Sequence, residues 1–110
     1  MAKLYTEYLG HNDITPDFGT IVRGNYMKPV LHSGDLCFVV ADSLNIDLHK
    51  GGIGVFQVGL SNSPKLAYIN DVKNGTCYTN DAYGKREYPV ETFVGIVVGF
   101  QRMFRCNLVY

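Results

Sequence analysis

The chain has 110 residues, enough for one domain with a single modest core and too few for two. Hydrophobic residues make up 46% of it, with 12 glycines and 8 tyrosines, a composition that suits a turn-rich β-protein better than a helical bundle or a disordered tail. Ten basic residues balance ten acidic ones, so the surplus of positive charge that displaces counterions from phosphate is missing, and direct contact with DNA is not expected.

Residues 1–15 alternate weakly, with Leu4, Thr6 and Tyr8 set against Tyr5, Glu7 and Leu9. They break at Gly10-His11-Asn12-Asp13, which predicts an edge strand and no helix. Pro16 and Asp17 turn the chain into a β-branched strand from Phe18 to Val22. Next comes the stretch around which the rest is organised, Arg23 to Asp35. Gly24, Pro29 and Gly34 punctuate it, predicting an irregular loop of fixed shape that ends in a tight Gly34-Asp35 turn. Gly24 and Gly34 supply backbone conformations that other residues resist, and Met27 and Pro29 are expected to pin the loop to the core. The apolar run Leu36 to Ala41 is the strand that this loop feeds.

Asp42 to Lys50 fits either an extended connection or one helical turn capped by Asp42-Ser43. Gly51-Gly52 ends it, Ile53 to Leu60 reads as a strand, and Ser61-Asn62-Ser63-Pro64 turns the chain into a further strand, Lys65 to Val72. Asn74-Gly75 is the strongest hairpin signal, because both residues tolerate the positive φ of a type I′ turn, and it returns the chain into Thr76 to Thr79. The polar, tyrosine-rich stretch Asn80 to Tyr88 reads as a surface loop. Pro89 precedes Phe93 to Phe100, an unbroken apolar run of the kind found in strands covered on both faces. The tail, Gln101 to Tyr110, is more apolar than a merely solvated end requires.

No apolar run approaches the roughly 20 residues that cross a bilayer, and no charged-then-apolar leader opens the chain, so a soluble, cytoplasmic protein without a membrane partner is expected. Cys37, Cys77 and Cys106 are odd in number and widely spaced, and His11, His32 and His49 share no ligand spacing. Neither a disulfide framework nor a metal site is expected, and no motif points to a cofactor. Asn74-Gly75-Thr76 matches a glycosylation sequon, which carries no weight without a secretory leader.

The run Val22-Arg23-Gly24-Asn25-Tyr26-Met27-Lys28-Pro29, followed by Gly34-Asp35 and an apolar strand, resembles the V-x-G-[DN]-S-M-x-P…G-D signature of the LexA and phage-repressor self-cleaving domains, relatives of signal peptidase. The likeness spans residues 18–100 and continues in order through Gly51-Gly52-Ile53-Gly54-Val55-Phe56, similar to the family's G-D-I-G-V-F, and Ala67-Tyr68-Ile69-Asn70, similar to its Y-I-K-R. Thr79-Asn80-Asp81-Ala82-Tyr83 is likewise similar to a family S-x-N-x-x-Y segment. The resemblance implies an all-β fold, a small, strongly bent barrel of about seven strands with little helix. It also exposes two departures. Tyr26 stands where the family carries its serine nucleophile, and Asn70 where it carries its general-base lysine.

A serine-lysine dyad works because a desolvated lysine loses its charge near neutral pH and accepts the serine proton. A phenol titrates near pH 10, and an amide has no basic nitrogen. The expectation is therefore no catalysis, with Tyr26 and Asn70 forming a hydrogen-bonded pair that fills the old site. The family's scissile segment is missing as well, since the sole candidate, Leu9-Gly10, lies too near Tyr26 in sequence to fold back to it. A displaced dyad of Ser33 and Lys65 is the alternative. Lys65 sits at an odd offset from Asn70, on the opposite face of a regular strand, and Ser33 lies beside the Gly34-Asp35 turn. The plainer reading makes Ser33 a hydrogen-bonding partner of the turn and Lys65 a solvated edge residue.

Together these residues predict one domain, 1–110, comprising an N-terminal strand and loop (1–17), the family-like core (18–100) and a tail (101–110). The resemblance implies a non-catalytic oligomerisation domain of a phage or prophage repressor. Such a domain pairs with itself as a dimer or higher oligomer and reaches DNA only through a separate N-terminal helix-turn-helix domain. Phe100, Met103, Phe104, Leu108 and Tyr110 are the candidate interface, with core packing as the plainer account. The Tyr78 to Tyr88 stretch is a candidate contact for an antirepressor.

Overall fold

Short β-branched and aromatic runs, broken by glycine and proline, give eight strands and no α-helix among the described residues. The computed structural model describes residues 2–8, 15–42, 46, 50–59 and 64–105. The strands are β1 (Ala2–Tyr8), β2 (Phe18–Ile21), β3 (Leu36–Ala41), β4 (Ile53–Phe56), β5 (Lys65–Lys73), β6 (Thr76–Asp81), β7 (Gly84–Pro89) and β8 (Phe93–Arg105), with one 3-10 turn at Val90–Thr92. All pair antiparallel in a single sheet, in the order β2-β3-β8-β4-β5-β6-β7, and β1 also pairs with β8. The chain is thus all-β, as its composition and punctuation predict.

β8 is the hub. One edge pairs with β3 from Leu36↔Gln101 to Ala41↔Gly95. The other carries β4 (Gly54↔Ile96) and β1 (Tyr8↔Gly99 to Ala2↔Arg105) end to end. Every residue from Gly95 to Phe100 is buried, which explains the unbroken apolar run. β8 also runs on through Arg105, so the first half of the expected tail is a strand, because β1 supplies an edge for it to pair with.

The strands at the middle of the sheet bury both faces. Ile53, Val55, Leu66 and Val97 join Val22, Met27 and Leu31 in one apolar cluster, while Phe56, Ala67, Ile69, Cys77 and Phe93 form a second. Ladder irregularities at Phe38/Val39, Val55/Phe56 and Ile69/Asp71 bend the sheet. The bend stops short of a closed barrel. β2 and β7 end the path without pairing to each other among the described residues. The chain after β2 turns at Gly24 instead of staying extended, so it has no strand to offer β7.

Asn74 (φ 52) and Gly75 (φ 79) form the β5–β6 turn with the expected pair of positive φ angles. The reading of Asn80 to Tyr88 as a loop is corrected. β6 runs on to Asp81 and β7 begins at Gly84, paired from Asp81↔Gly84 to Thr76↔Pro89. β7 ends the sheet, and its first four residues are exposed whichever way they point, so no apolar alternation marks it. Lys85, Arg86 and Glu87 are charged, as suits an edge that must resist pairing with other chains.

Candidate functional site

The loop from Val22 to Asp35 is clipped at its neck by two hydrogen bonds. Val22 N–H donates to the Asp35 carbonyl at 2.9 Å, and Gly34 N–H to the Val22 carbonyl at 2.7 Å. Gly24 (φ +97) and Gly34 (φ +94) occupy the left-handed region that the sequence reading assigned to them. Ser33 Oγ accepts the Gly24 N–H at 3.1 Å, so this serine serves the turn. Val22, Met27 and Leu31 are buried and pin the loop to the core. Pro29, expected to help, is exposed, as is Asn25; their places on the core side are taken by Val22 and Leu31.

A buried ion pair locks the same loop to β8. The Asp35 carboxylate, 1% exposed, accepts Arg102 Nε at 2.9 Å on one oxygen and an Arg102 terminal nitrogen at 2.7 Å on the other. That terminal nitrogen also reaches the Val30 carbonyl at 3.2 Å, and His32 N–H donates to Asp35 at 2.8 Å. The guanidinium lies over the Phe100 ring, 4.9 Å from its centroid. Burial alone would raise Asp35, but the Arg102 hydrogen bonds, the His32 amide and the Arg102 charge together hold its carboxyl below the ordinary value. Sequence reasoning found Asp35 and missed Arg102. The one available signal was a charge beside Phe100 at the end of an apolar run.

Tyr26 is the plug between the loop and the far part of the sheet. Its backbone carbonyl accepts the Ala82 N–H at 2.6 Å, at the turn between β6 and β7. Its phenol oxygen accepts the Leu66 N–H at 3.3 Å, on the stretch of β5 that runs beyond the end of β6. The expected Tyr26–Asn70 pair is therefore corrected. Asn70 is exposed at the irregularity between Ile69 and Asp71, where an extra residue breaks the alternation, and Tyr26 meets β5 four residues earlier. Burial raises the Tyr26 phenol, opposed by the Leu66 hydrogen bond, so it is a poor nucleophile at neutral pH.

Tyr26 lines a cleft of about 360 Å³ with Lys65, Asp81, Tyr83, Arg86 and Tyr88. Lys65, placed by strand parity on the face opposite Asn70, lines this cleft and Asn70 does not. The Tyr88 ring stacks on Phe56, centroids 4.6 Å apart and planes 15° from parallel. Asp81 accepts the Tyr83 N–H at 2.8 Å and lies 3.5 Å from Arg86 Nε. Ser33 is not part of the lining, so the alternative dyad is not brought together.

Cys37 and Cys77 are buried. Burial, with the Asp35 charge beside it, pushes the Cys37 thiol up to about 12, which leaves it inert. Among the described residues no three histidine, cysteine, aspartate or glutamate side chains cluster to hold a metal, and no helix is long and apolar enough to cross a membrane. Of the candidate interface residues, Phe100 is 3% exposed and belongs to the core, since β8 is the central strand. Met103 and Phe104 lie on β8 opposite Leu4 and Lys3 in the β1 register, and Leu108 and Tyr110 fall outside the described residues, as do Cys106, His11, His49 and Leu9-Gly10. In comparisons with family models, curated proteins and solved structures, nothing matches the chain.

Proposed function

We propose that this chain is a non-catalytic regulatory domain of the phage or prophage repressor type, a degenerate relative of the LexA-like peptidases that acts by self-association in the cytoplasm. The observation that carries the reading is Tyr26. At the position of the family's nucleophile stands a half-buried phenol whose oxygen is tied to Leu66 and whose carbonyl is tied to Ala82. Both ties are structural. A loop that keeps its glycine geometry and its anchors after losing the serine and the lysine is a scaffold, and the ordered motifs along residues 18–100 supply the family expectation.

Self-association would join separate N-terminal helix-turn-helix heads, and the gain in operator binding comes from effective concentration without any DNA contact by this domain. With Phe100 withdrawn into the core, β2 offers the exposed apolar surface. Phe18 is 41% and Ile21 45% exposed on a strand that ends the sheet. The hairpin of β6 and β7, with Tyr78 and Tyr83 exposed, remains the surface proposed for an antirepressor.

Light scattering after size exclusion, at high micromolar concentration, is expected to give a dimer or larger species; a strict monomer removes the role. Prolonged incubation at alkaline pH is expected to leave the intact mass unchanged. An internal cut that disappears in Ser33→Ala or Lys65→Ala would overturn the non-catalytic reading.

A further inference from the structure

The cleft beside Tyr26 has a composition that a spent active site does not require. We propose that it binds a small planar anion, a flat ring carrying a carboxylate or a phosphate. Its volume, about 360 Å³, falls within the roughly 300–1,000 Å³ of small-molecule sites. Three of its walls are aromatic. Tyr88 is held in place by its stack on Phe56, and Tyr83, 67% exposed, stands at the rim where a ring could lie against it.

The polar groups have one sign to spare. Asp81 is answered twice, by Arg86 and by the Tyr83 amide. Arg86 meets Asp81 through Nε, and a guanidinium carries five N–H donors. Lys65 makes no salt bridge among the described residues. Two cations against one carboxylate leave a net positive cleft, which selects anions over metal ions and amines. Tyr26 adds a neutral donor. Its oxygen accepts from Leu66, so its own hydrogen is left to give, and burial keeps it protonated. The same bond argues against an extended peptide, because the β5 edge donor that strand addition would use is already taken.

The test is a titration of the full chain, followed by amide shifts of Lys65, Tyr83 and Arg86 in NMR spectra at fixed ionic strength, with benzoate as the carboxylate probe and adenosine monophosphate as the phosphate probe. Saturable binding of either is expected, and which one binds identifies the anionic group. Affinity should fall by about tenfold or more in Lys65→Gln and in Tyr83→Ala, two exposed positions whose replacement leaves the circular dichroism unchanged. Cyclohexanecarboxylate, charged but not flat, and benzamide, flat but uncharged, should bind about tenfold more weakly. Failure of both probes at millimolar concentration, or binding that the two variants or the two analogues leave unaltered, overturns the proposal. These outcomes are independent of the oligomeric state, which light scattering reads separately.

Discussion

Arg102→Ala is expected to destabilise the fold by about 3–5 kcal/mol, the cost of removing one member of a buried, hydrogen-bonded charge pair. The loss comes less from the missing attraction than from what remains: an Asp35 carboxylate 1% exposed without its paired guanidinium, and a Val30 carbonyl without that donor. A domain of this size is stable by roughly 5–15 kcal/mol, so the loss is a large fraction of the total and should lower the melting temperature by more than about 10 °C. The chain has no tryptophan, so urea unfolding followed by far-ultraviolet circular dichroism is the suitable measurement. Replacing Asp35 and Arg102 together by leucine should cost less than the sum of the single changes, and the double-mutant cycle reads the coupling. A loss under 1 kcal/mol in Arg102→Ala would mean that the loop does not depend on this pair.

The same pair fixes the acid limb of stability. Asp35 in the folded protein titrates below the ordinary carboxylate range because Arg102 and the His32 amide hold its charged form, so the unfolded chain takes up the proton first. The contribution is complete above the unfolded carboxylate value and is lost as pH falls through the folded one. Wild-type stability should therefore drop with acid below about pH 4, and the drop should be smaller in Asp35→Asn, which has no charge to lose.

Gly95→Ala is expected to cost about 3 kcal/mol or more, at the upper end for overpacking. A Cβ there would lie 2.4 Å from the Val40 carbonyl oxygen and 2.9 Å from Val39 Cγ1. The first of these atoms is backbone, so relief requires β3 and β8 to separate at the centre of the sheet. Gly75→Ala is the instructive contrast. Its φ is +79 but nothing lies within 4 Å, so the cost is the left-handed strain alone, about 1–2 kcal/mol. Equal losses at the two positions would show that β3 and β8 yield easily.

How much was legible follows from where the information lies along the chain. Gly24, Gly34 and Asn74-Gly75 announce their own conformations, and the run Phe93 to Phe100 announces a covered strand, because each signal is carried by neighbouring residues. β7 was hidden by solvation, since an exposed end strand has no buried side to alternate with. The Asp35–Arg102 lock and the Tyr26–Leu66 contact join residues remote in sequence, and no local pattern encodes such a pairing. That Lys65 lines the cleft with Tyr26 was not legible for a sharper reason: counting odd and even residues from Asn70 assumes an unbroken strand and a known point of contact. The irregularity after Ile69 removes the first, and Tyr26 reaching β5 at Leu66 removes the second.

The position of β8 also sets a timetable. β3, β4 and β1 all pair with a strand that begins at Phe93, so on a growing chain those three ladders wait until β8 has been synthesised. The ladders β2-β3, β4-β5, β5-β6 and β6-β7 join neighbours in sequence and can form before it. Closing the sheet around its hub is thereby deferred until β8 is available, and the Asp35–Arg102 clasp on the loop bearing Tyr26 forms only after Arg102 has emerged.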